Sequence, residues 1–315
     1  MFSVQIALFF VVTLNAVLAD ELPFLDFGGF SWAENLVFDG LGGLFVSDAV
    51  LGEIWKIELC NATAYCGSVY ISEGIKQAGG MSVTKSGDTL YAGVTMDDDS
   101  KAVIMSTAGA GTYDVLVGQL KHQPNGMAFD EARGILYVTD EGKGSEEGGT
   151  LLAINVATKE QTLIKDQIPW ADGCWYDSET DLLYVGELLS MKIMVFKIDD
   201  ISGLAVYMTE YEGLNSSGKI SMLDDITVAR RGSSADGSDT FLFGADWTGK
   251  KLKMFRVDGQ DITTIDTPGV DLYEPTSVRW GSGPGFDPNS IYVTEGGGAT
   301  KHQDKRRVFQ VKLNL

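Results

Sequence analysis

The sequence predicts an all-β chain folded as a six-bladed β-propeller, with four-stranded blades around a central channel. Three observations predict it. A unit recurs whose opening residues are Glu34, Gly79, Asn125, Asp172, Asp224 and Thr276, at separations of 45, 46, 47, 52 and 52, the spacing of a blade-type repeat. Each copy carries three runs of alternating or continuous apolar character bounded by turn residues. Finally, 38 glycines stand against 7 prolines in 315 residues, which suits many tight turns better than a disordered linker.

The first copy runs Glu34–Asp39, Leu44–Asp48 and Ile54–Ile57, and the second Gly79–Val83, Leu90–Gly93 and Val103–Met105. The third is Asn125–Asp130, Leu136–Asp140 and Leu151–Ile154; the fourth is Asp172–Asp177, Leu183–Glu187 and Ile193–Phe196. The fifth is Asp224–Val228, Phe241–Asp246 and Leu252–Phe255; the sixth is Thr276–Trp280, Ile291–Glu295 and Val308–Val311. Weaker fourth strands fit between the copies, at Ser68–Ser72, Tyr113–Val117, Gln161–Lys165, Leu204–Thr209 and Asp261–Asp266. The sixth copy leaves no room for a fourth strand before Leu315, so Leu22–Phe27 is expected to supply it. That pairing closes the ring between the two ends of the chain and removes exposed sheet edges. A parallel β-solenoid is the competing architecture, but its repeats are usually shorter and its ends need caps. No linker interrupts residues 20–315, which read as one domain.

Met1–Ala19 carries no side-chain charge, has an apolar run at Ile6–Leu14 and ends in Val17-Leu18-Ala19. This is the pattern of a secretory signal peptide, with the mature chain starting at Asp20. The run is short for a membrane span, so a secreted protein free of the membrane after cleavage is expected. In an oxidising compartment Cys60 and Cys66, six residues apart, suit a disulfide, while Cys174 lies in an apolar run and reads as a buried free thiol. No CxxC pair offers a cysteine zinc site. Asn61-Ala62-Thr63 and Asn215-Ser216-Ser217 are N-glycosylation sequons, meaningful only for an exported chain. Acids outnumber bases 44 to 24, a net charge of -20. Such a field repels phosphate backbones, which excludes nucleic acid as a partner. Most of these carboxylates are expected on the solvated surface.

In a propeller the first strand of each blade lines the channel, so the six opening residues converge at one mouth. Glu34, Asn125, Asp172 and Asp224 are oxygen donors suited to a hard cation. Calcium takes six to eight oxygens, leaving positions for water or substrate; magnesium, manganese and zinc are the alternatives. Without a cation the three carboxylates would repel, and at least one would hold a proton. A competing reading makes Asn125-Gly126 and Asp172-Gly173 hairpin turns. Against it, both dyads occur at one phase of the repeat, a phase shared by Glu34 and Asp224. His122, three residues before Asn125, is a candidate proton shuttle or substrate contact. Trp170 is a candidate wall of the substrate pocket, and Trp32, Trp247 and Glu274 fall near the same mouth. Gly244–Lys251 nearly spells a phosphate loop, but Lys251 replaces the Ser or Thr and no helix follows. There is no GxSxG elbow.

These residues carry a family likeness. Pro124-Asn125-Gly126-Met127-Ala128-Phe129-Asp130 with Leu136-Tyr137-Val138-Thr139-Asp140, and Asp172-Gly173 with Leu183-Tyr184-Val185, resemble the SMP-30/gluconolactonase/luciferin-regenerating-enzyme family. That group includes regucalcin and is similar to diisopropyl-fluorophosphatase and the paraoxonases. The resemblance implies a six-bladed propeller with a catalytic divalent metal, commonly calcium, in the channel. It implies hydrolysis of lactones, esters or organophosphate-type bonds in a small-molecule substrate. Glu34 matches the first-blade glutamate ligand, Asn125 the third-blade asparagine that binds metal or substrate, and Asp224 the fifth-blade aspartate proposed as base or nucleophile. Asp172 stands where the family usually has asparagine, and it shares the candidate catalytic role. Asn35 follows Glu34 where Gly-Pro is common. The alternative function is a non-catalytic propeller whose metal staples the blades and whose face binds a glycan or protein.

Overall fold

The computed structural model describes residues 22–97, 101–143, 147–190, 192–211, 222–230, 240–258, 261–266, 272–297 and 305–312. The signal-peptide segment, the Asn215 sequon and His302 lie outside these residues.

The chain enters as β1 (Asp26–Gly28). Blade 1 is β2 (Ala33–Phe38), β3 (Gly43–Asp48), β4 (Glu53–Asn61) and β5 (Ala64–Ile71); blade 2 is β6 (Ile75–Val83), β7 (Leu90–Met96), β8 (Ala102–Gly109) and β9 (Thr112–Leu120). Blade 3 is β10 (Pro124–Asp130), β11 (Ile135–Lys143), β12 (Glu147–Asn155) and β13 (Gln161–Ile168); blade 4 is β14 (Ala171–Asp177), β15 (Leu182–Glu187), β16 (Lys192–Ile198) and β17 (Ala205–Tyr211). Blade 5 is β18 (Leu223–Arg230), β19 (Thr240–Asp246), β20 (Lys251–Asp258) and β21 (Asp261–Asp266); blade 6 is β22 (Pro275–Trp280), β23 (Ser290–Glu295) and β24 (Arg307–Lys312), completed by β1. Each blade is an antiparallel four-stranded sheet, and the fold is a six-bladed β-propeller, not a solenoid.

The closing strand sits slightly C-terminal to its expected place. Asp26, Phe27 and Gly28 pair with Phe309, Val308 and Arg307, while Leu25 turns inward and is 1% exposed. The Arg307 guanidinium joins Asp26 (2.7 Å) to Glu295 (2.8 Å), tying the last blade to the chain's first strand.

The core is divided into six apolar layers, each between neighbouring blades. Tyr137, Leu151 and Met194 belong to the layer between blades 3 and 4, for example, and Leu44, Phe38 and Tyr292 to the layer between blades 6 and 1. Second strands are packed on both faces, so β3 and β23 are buried along their whole length. That is why they read as continuous apolar runs rather than as alternation. Fourth strands face solvent and alternate; β13 is an example. Polar clips join the layers at their rims: Tyr137 Oη donates to the Gly203 carbonyl (2.7 Å), and Arg133 bridges Asp130 (2.7 Å) and Asp181 (3.0 Å). Cys60 and Cys66 form a disulfide across the β4–β5 hairpin, with Cα atoms 5.8 Å apart, and Cys174 is free and buried.

Nearest the axis the inner strands leave no room for side chains. A Cβ on Gly80 would lie 1.3 Å from the Asn125 carbonyl oxygen, and one on Gly126 would lie 2.4 Å from the Cys174 nitrogen. Both clashes are with backbone, which cannot swing away. Gly80→Ala and Gly126→Ala are therefore expected to cost about 3 kcal/mol or more, whereas Gly109→Ala, with nothing within 4 Å of the added carbon, should change stability by under about 0.5 kcal/mol. Urea unfolding of the three variants checks this.

Candidate active site at the channel mouth

Every inner strand carries a β-bulge at one register. In blade 1 the pairs Ala33↔Asp48 and Leu36↔Val46 leave Glu34 and Asn35 facing a single residue, Ser47. The same break falls at Gly79-Gly80 in β6, Asn125-Gly126 in β10, Asp172-Gly173 in β14, Asp224-Asp225 in β18 and Thr276 in β22. A bulge puts an extra residue into one strand and re-aims the side chains there. The Asn-Gly and Asp-Gly dyads are therefore not hairpin turns, because both lie inside strands. Their glycines are needed where one inner strand meets the next.

Second-strand hydroxyls hold the bulges. Ser47 Oγ accepts from the Asn35 N–H (3.0 Å), and Thr139 Oγ1 accepts from the Gly126 N–H and donates to the Asp172 carbonyl (both 2.6 Å). In blade 6 the Thr276 hydroxyl donates to the Ala33 carbonyl (2.7 Å), so neighbouring bulges are fixed in register across blades. The residue before each inner strand is fixed as well. Trp32, Gly74, Gln123, Trp170, Met222 and Glu274 each accept, at the carbonyl, an N–H from the end of the second strand or the residue just after it, at 2.8–3.1 Å.

Glu34, Asp172 and Asp224 come from blades 1, 4 and 5 and share one electrostatic environment. Asp172 is 2% exposed and Asp224 9%. Burial pushes the Glu34 carboxyl up to about 7; the charges of Glu141, Asp225 and Asp48 add to the rise, against the Trp32 hydrogen bond. Asp172 is raised well above the usual carboxylate range by burial, then by Glu141, Glu34 and Asp225. Asp224 is raised likewise, by burial and then by Asp172, Glu34, Asp225 and Glu141. Two buried oxygens, Asp172 Oδ1 and Asn35 Oδ1, have no hydrogen-bond partner. Asn125 is half-buried at the same bulge register in blade 3.

The remaining predicted residues lie at the edge of this group. Trp170, held at a φ of 57°, donates its indole N–H to Glu141 Oε1 (2.5 Å). Trp32 does the same to Glu34 Oε2 (2.5 Å). His122 turns toward blade 3: its backbone N–H reaches Asp140 Oδ2 (3.2 Å), and Nε2 lies 3.8 Å from Glu147 Oε2.

The sequence reading missed Glu141, which adds to the charge on both Asp172 and Asp224. It also missed the pairing of Asp225 with Arg279 and Ser277. A signal for Glu141 was present, since it follows Asp140, one of five acids at or near the end of the second strand: Asp48, Asp140, Glu187, Asp246 and Glu295. These acids are 0–7% exposed, contrary to the solvated surface expected of most carboxylates. They clamp loops. Asp48, for instance, accepts the N–H groups of Ser31, Trp32, Val50 and Leu51 at 2.6–3.3 Å.

The donors are all oxygen, and they carry uncompensated negative charge and an unpartnered carboxylate oxygen. These properties fit a hard divalent cation. Among the described residues, however, no three His, Cys, Asp or Glu side chains are grouped closely enough to hold an ion as they stand.

No protein-family profile matches the chain, and no curated protein matches its sequence. Solved structures share its fold. The luciferin-regenerating enzyme is 14% identical over 91% of this chain and 93% of its own, with a TM-score of 0.66. A protein proposed to be a gluconolactonase is 13% identical over 91% and 90%, with a TM-score of 0.63. An auxiliary nutrient binding protein from Bacteroides thetaiotaomicron is 14% identical over 90% and 71%, with a TM-score of 0.66. The group that the Asn125 and Asp172 motifs resemble is thus represented among the structural neighbours.

Raised carboxyl pKa values have a defined consequence for stability. The folded, metal-free protein holds protons that the unfolded chain releases above about pH 4. Stability from these groups is complete below that pH and is lost as pH rises, through about 7 for Glu34. In chelator, Tm is expected to fall between about pH 5 and pH 8, and calcium should raise it more at the higher pH. A Tm in chelator that is flat or rising across this range, measured by scanning fluorimetry, contradicts the assignment.

Proposed function

We propose that the protein is a secreted, divalent-metal-dependent hydrolase of the lactonase/esterase type, with calcium at the mouth held by Glu34, Asn125, Asp172 and Asp224. The observation that carries the reading is the convergence of three mutually repelling carboxylates from separate blades, Asp172 and Asp224 buried and Glu34 half-buried. The fold shared with the luciferin-regenerating enzyme supports it. A cation bound there supplies Lewis acidity toward a carbonyl or phosphoryl oxygen.

The chain's own groups perform the rest. Asp224 or Asp172, once ionised, takes a proton from the attacking water as general base; direct attack by Asp224 is the covalent alternative. The Asn125 amide orients the substrate oxygen. Trp170 fixes Glu141 through its indole N–H and presents its ring as pocket wall. His122, beside Asp140 and Glu147, serves the substrate's far edge or relays protons to the rim.

The second reading is a metal-stapled propeller that binds a glycan or protein without turnover. It is favoured by the absence of a compact ligand group among the described residues and by a neighbour described as nutrient binding. A panel of lactones, aryl esters and organophosphates, assayed with chelator and with calcium restored, separates the two. Hydrolysis that stops and returns is expected; calcium binding with no turnover on any substrate favours the binder. Asp224→Asn is expected to fold with a Tm in chelator no lower than the parent's, because burial and the neighbouring carboxylates disfavour the charged form of Asp224, and to lose about 100-fold or more in kcat. Full turnover in that variant removes Asp224 from the mechanism.

A further inference from the structure

Toward the other end of the inner strands lies a cavity of about 270 Å³. It takes residues from five blades: Val37 from β2, Met81 from β6, Phe129 from β10, Trp175 from β14 and Arg279 from β22 are among its walls. Val37, Phe129, Trp175 and Arg279 lie two to three residues past the last residue of their strands' bulges and Met81 one, so roughly 7–10 Å of strand separates most of this wall from the acidic mouth. Between the two stands a polar layer. Asp225, 1% exposed, accepts hydrogen bonds from Ser277 Oγ and Arg279 Nη1.

Arg279 is 4% exposed, yet it lines the cavity. Its hydrogen bonds, to Asp225, the Ile226 carbonyl and the Val278 carbonyl, all leave from Nη1. Nη2 and Nε make none among the described residues, so part of the planar fork is uncommitted. The guanidinium lies 5.3 Å from the centre of the Trp175 ring, which holds it flat against the wall. At the opening, exposed Lys85 has no ion-pair partner among the described residues. Asp39, the carboxylate in the wall, is held by Lys56 at 3.3 Å. The chamber is thus apolar and aromatic apart from two cationic side chains, Arg279 and Lys85, with the Glu131 carboxylate accepting the Lys85 backbone N–H (2.8 Å) outside the cavity wall. Buried guanidinium forks bind carboxylates bidentately, and aromatic walls take a flat apolar body. A wider groove of about 730 Å³ shares Val83, Lys85, Phe129 and Tyr176 with the cavity and leads outward across blades 3 and 4.

We infer that the far mouth is a second ligand site, distinct from the acidic mouth, which binds a small aromatic or aliphatic carboxylate with its anion on Arg279 and Lys85 and its body against Trp175, Phe129 and Val37. This does not depend on the hydrolase reading.

The test is calorimetric titration of the full chain in chelator with 2-naphthoate, and with its neutral isostere 2-naphthamide. Naphthoate is expected to bind, and the amide about tenfold or more weaker. Val37→Trp fills the cavity and should abolish binding while leaving calcium-induced stabilisation intact. Arg279→Gln should weaken binding about tenfold. Because that change leaves Asp225 buried without its cation, Lys85→Gln at an exposed position serves as the fold-neutral variant, with a loss of about threefold. Equal affinity for acid and amide, absence of binding, binding that requires calcium, or binding that survives Val37→Trp overturns the proposal.

Discussion

The constraint on which the rest of this structure depends is the crowding of six inner strands around one axis. Gly80, Gly126 and Gly173 have no space for a Cβ because the next strand's backbone or side chain already fills it. Crowding also explains why each inner strand carries a bulge at the same register. A regular strand would point alternate residues into the two flanking apolar layers. The extra residue breaks that alternation for one step and frees a polar side chain for the channel. Glu34, Asp172 and Asp224 are in the channel because the backbone there cannot be regular.

Electrostatics then distinguishes carboxylates that are neighbours in sequence. Two like charges about 6 Å apart repel by roughly 3 kcal/mol at an effective dielectric near 20. Asp225 escapes this cost because Arg279 and Ser277 satisfy it. Asp224, one residue away, has no such cation among the described residues, and its acidity is suppressed by burial and by four other carboxylates. Structural carboxylates elsewhere follow the Asp225 pattern: Asp130 has Arg133, Glu295 has Arg307, and Asp246 has Lys253. The contrast, more than the number of acids, sets the mouth apart electrostatically from the other buried carboxylates.

Much of this was legible in the sequence. The blade period, the closing strand near Phe27, the Cys60–Cys66 pair and the phase of Glu34, Asn125, Asp172 and Asp224 all follow from spacing, because spacing within a blade repeats in the fold. What was not legible concerns relations between blades. Glu141 and Trp170 belong to different blades, and nothing in a linear repeat says that the indole of one will meet the carboxylate of the other. Arg279 lies 54 residues from Asp225 and reads in sequence as an oddity in an apolar strand. The acids near the ends of second strands were visible, but their burial was not: average exposure places an aspartate in solvent, whereas Asp48 is buried by the loop it clamps.

The adjacency of Asp224 and Asp225 makes the two ends of the channel parts of one electrostatic object. The bulge hands one of these residues to the acidic mouth and the other to the Arg279 layer. Asp225 also bears on Glu34 and Asp172, so its charge is felt by every carboxylate of the mouth. Whatever shares the guanidinium of Arg279 changes how well Asp225 is neutralised, and so changes the field at Asp224. A cation held among Glu34, Asp172 and Asp224, as proposed, would relieve the same repulsion from the other side. Coupling of this kind is reciprocal by thermodynamic necessity. Here it would run through one peptide bond and one ion pair rather than through any movement of the blades.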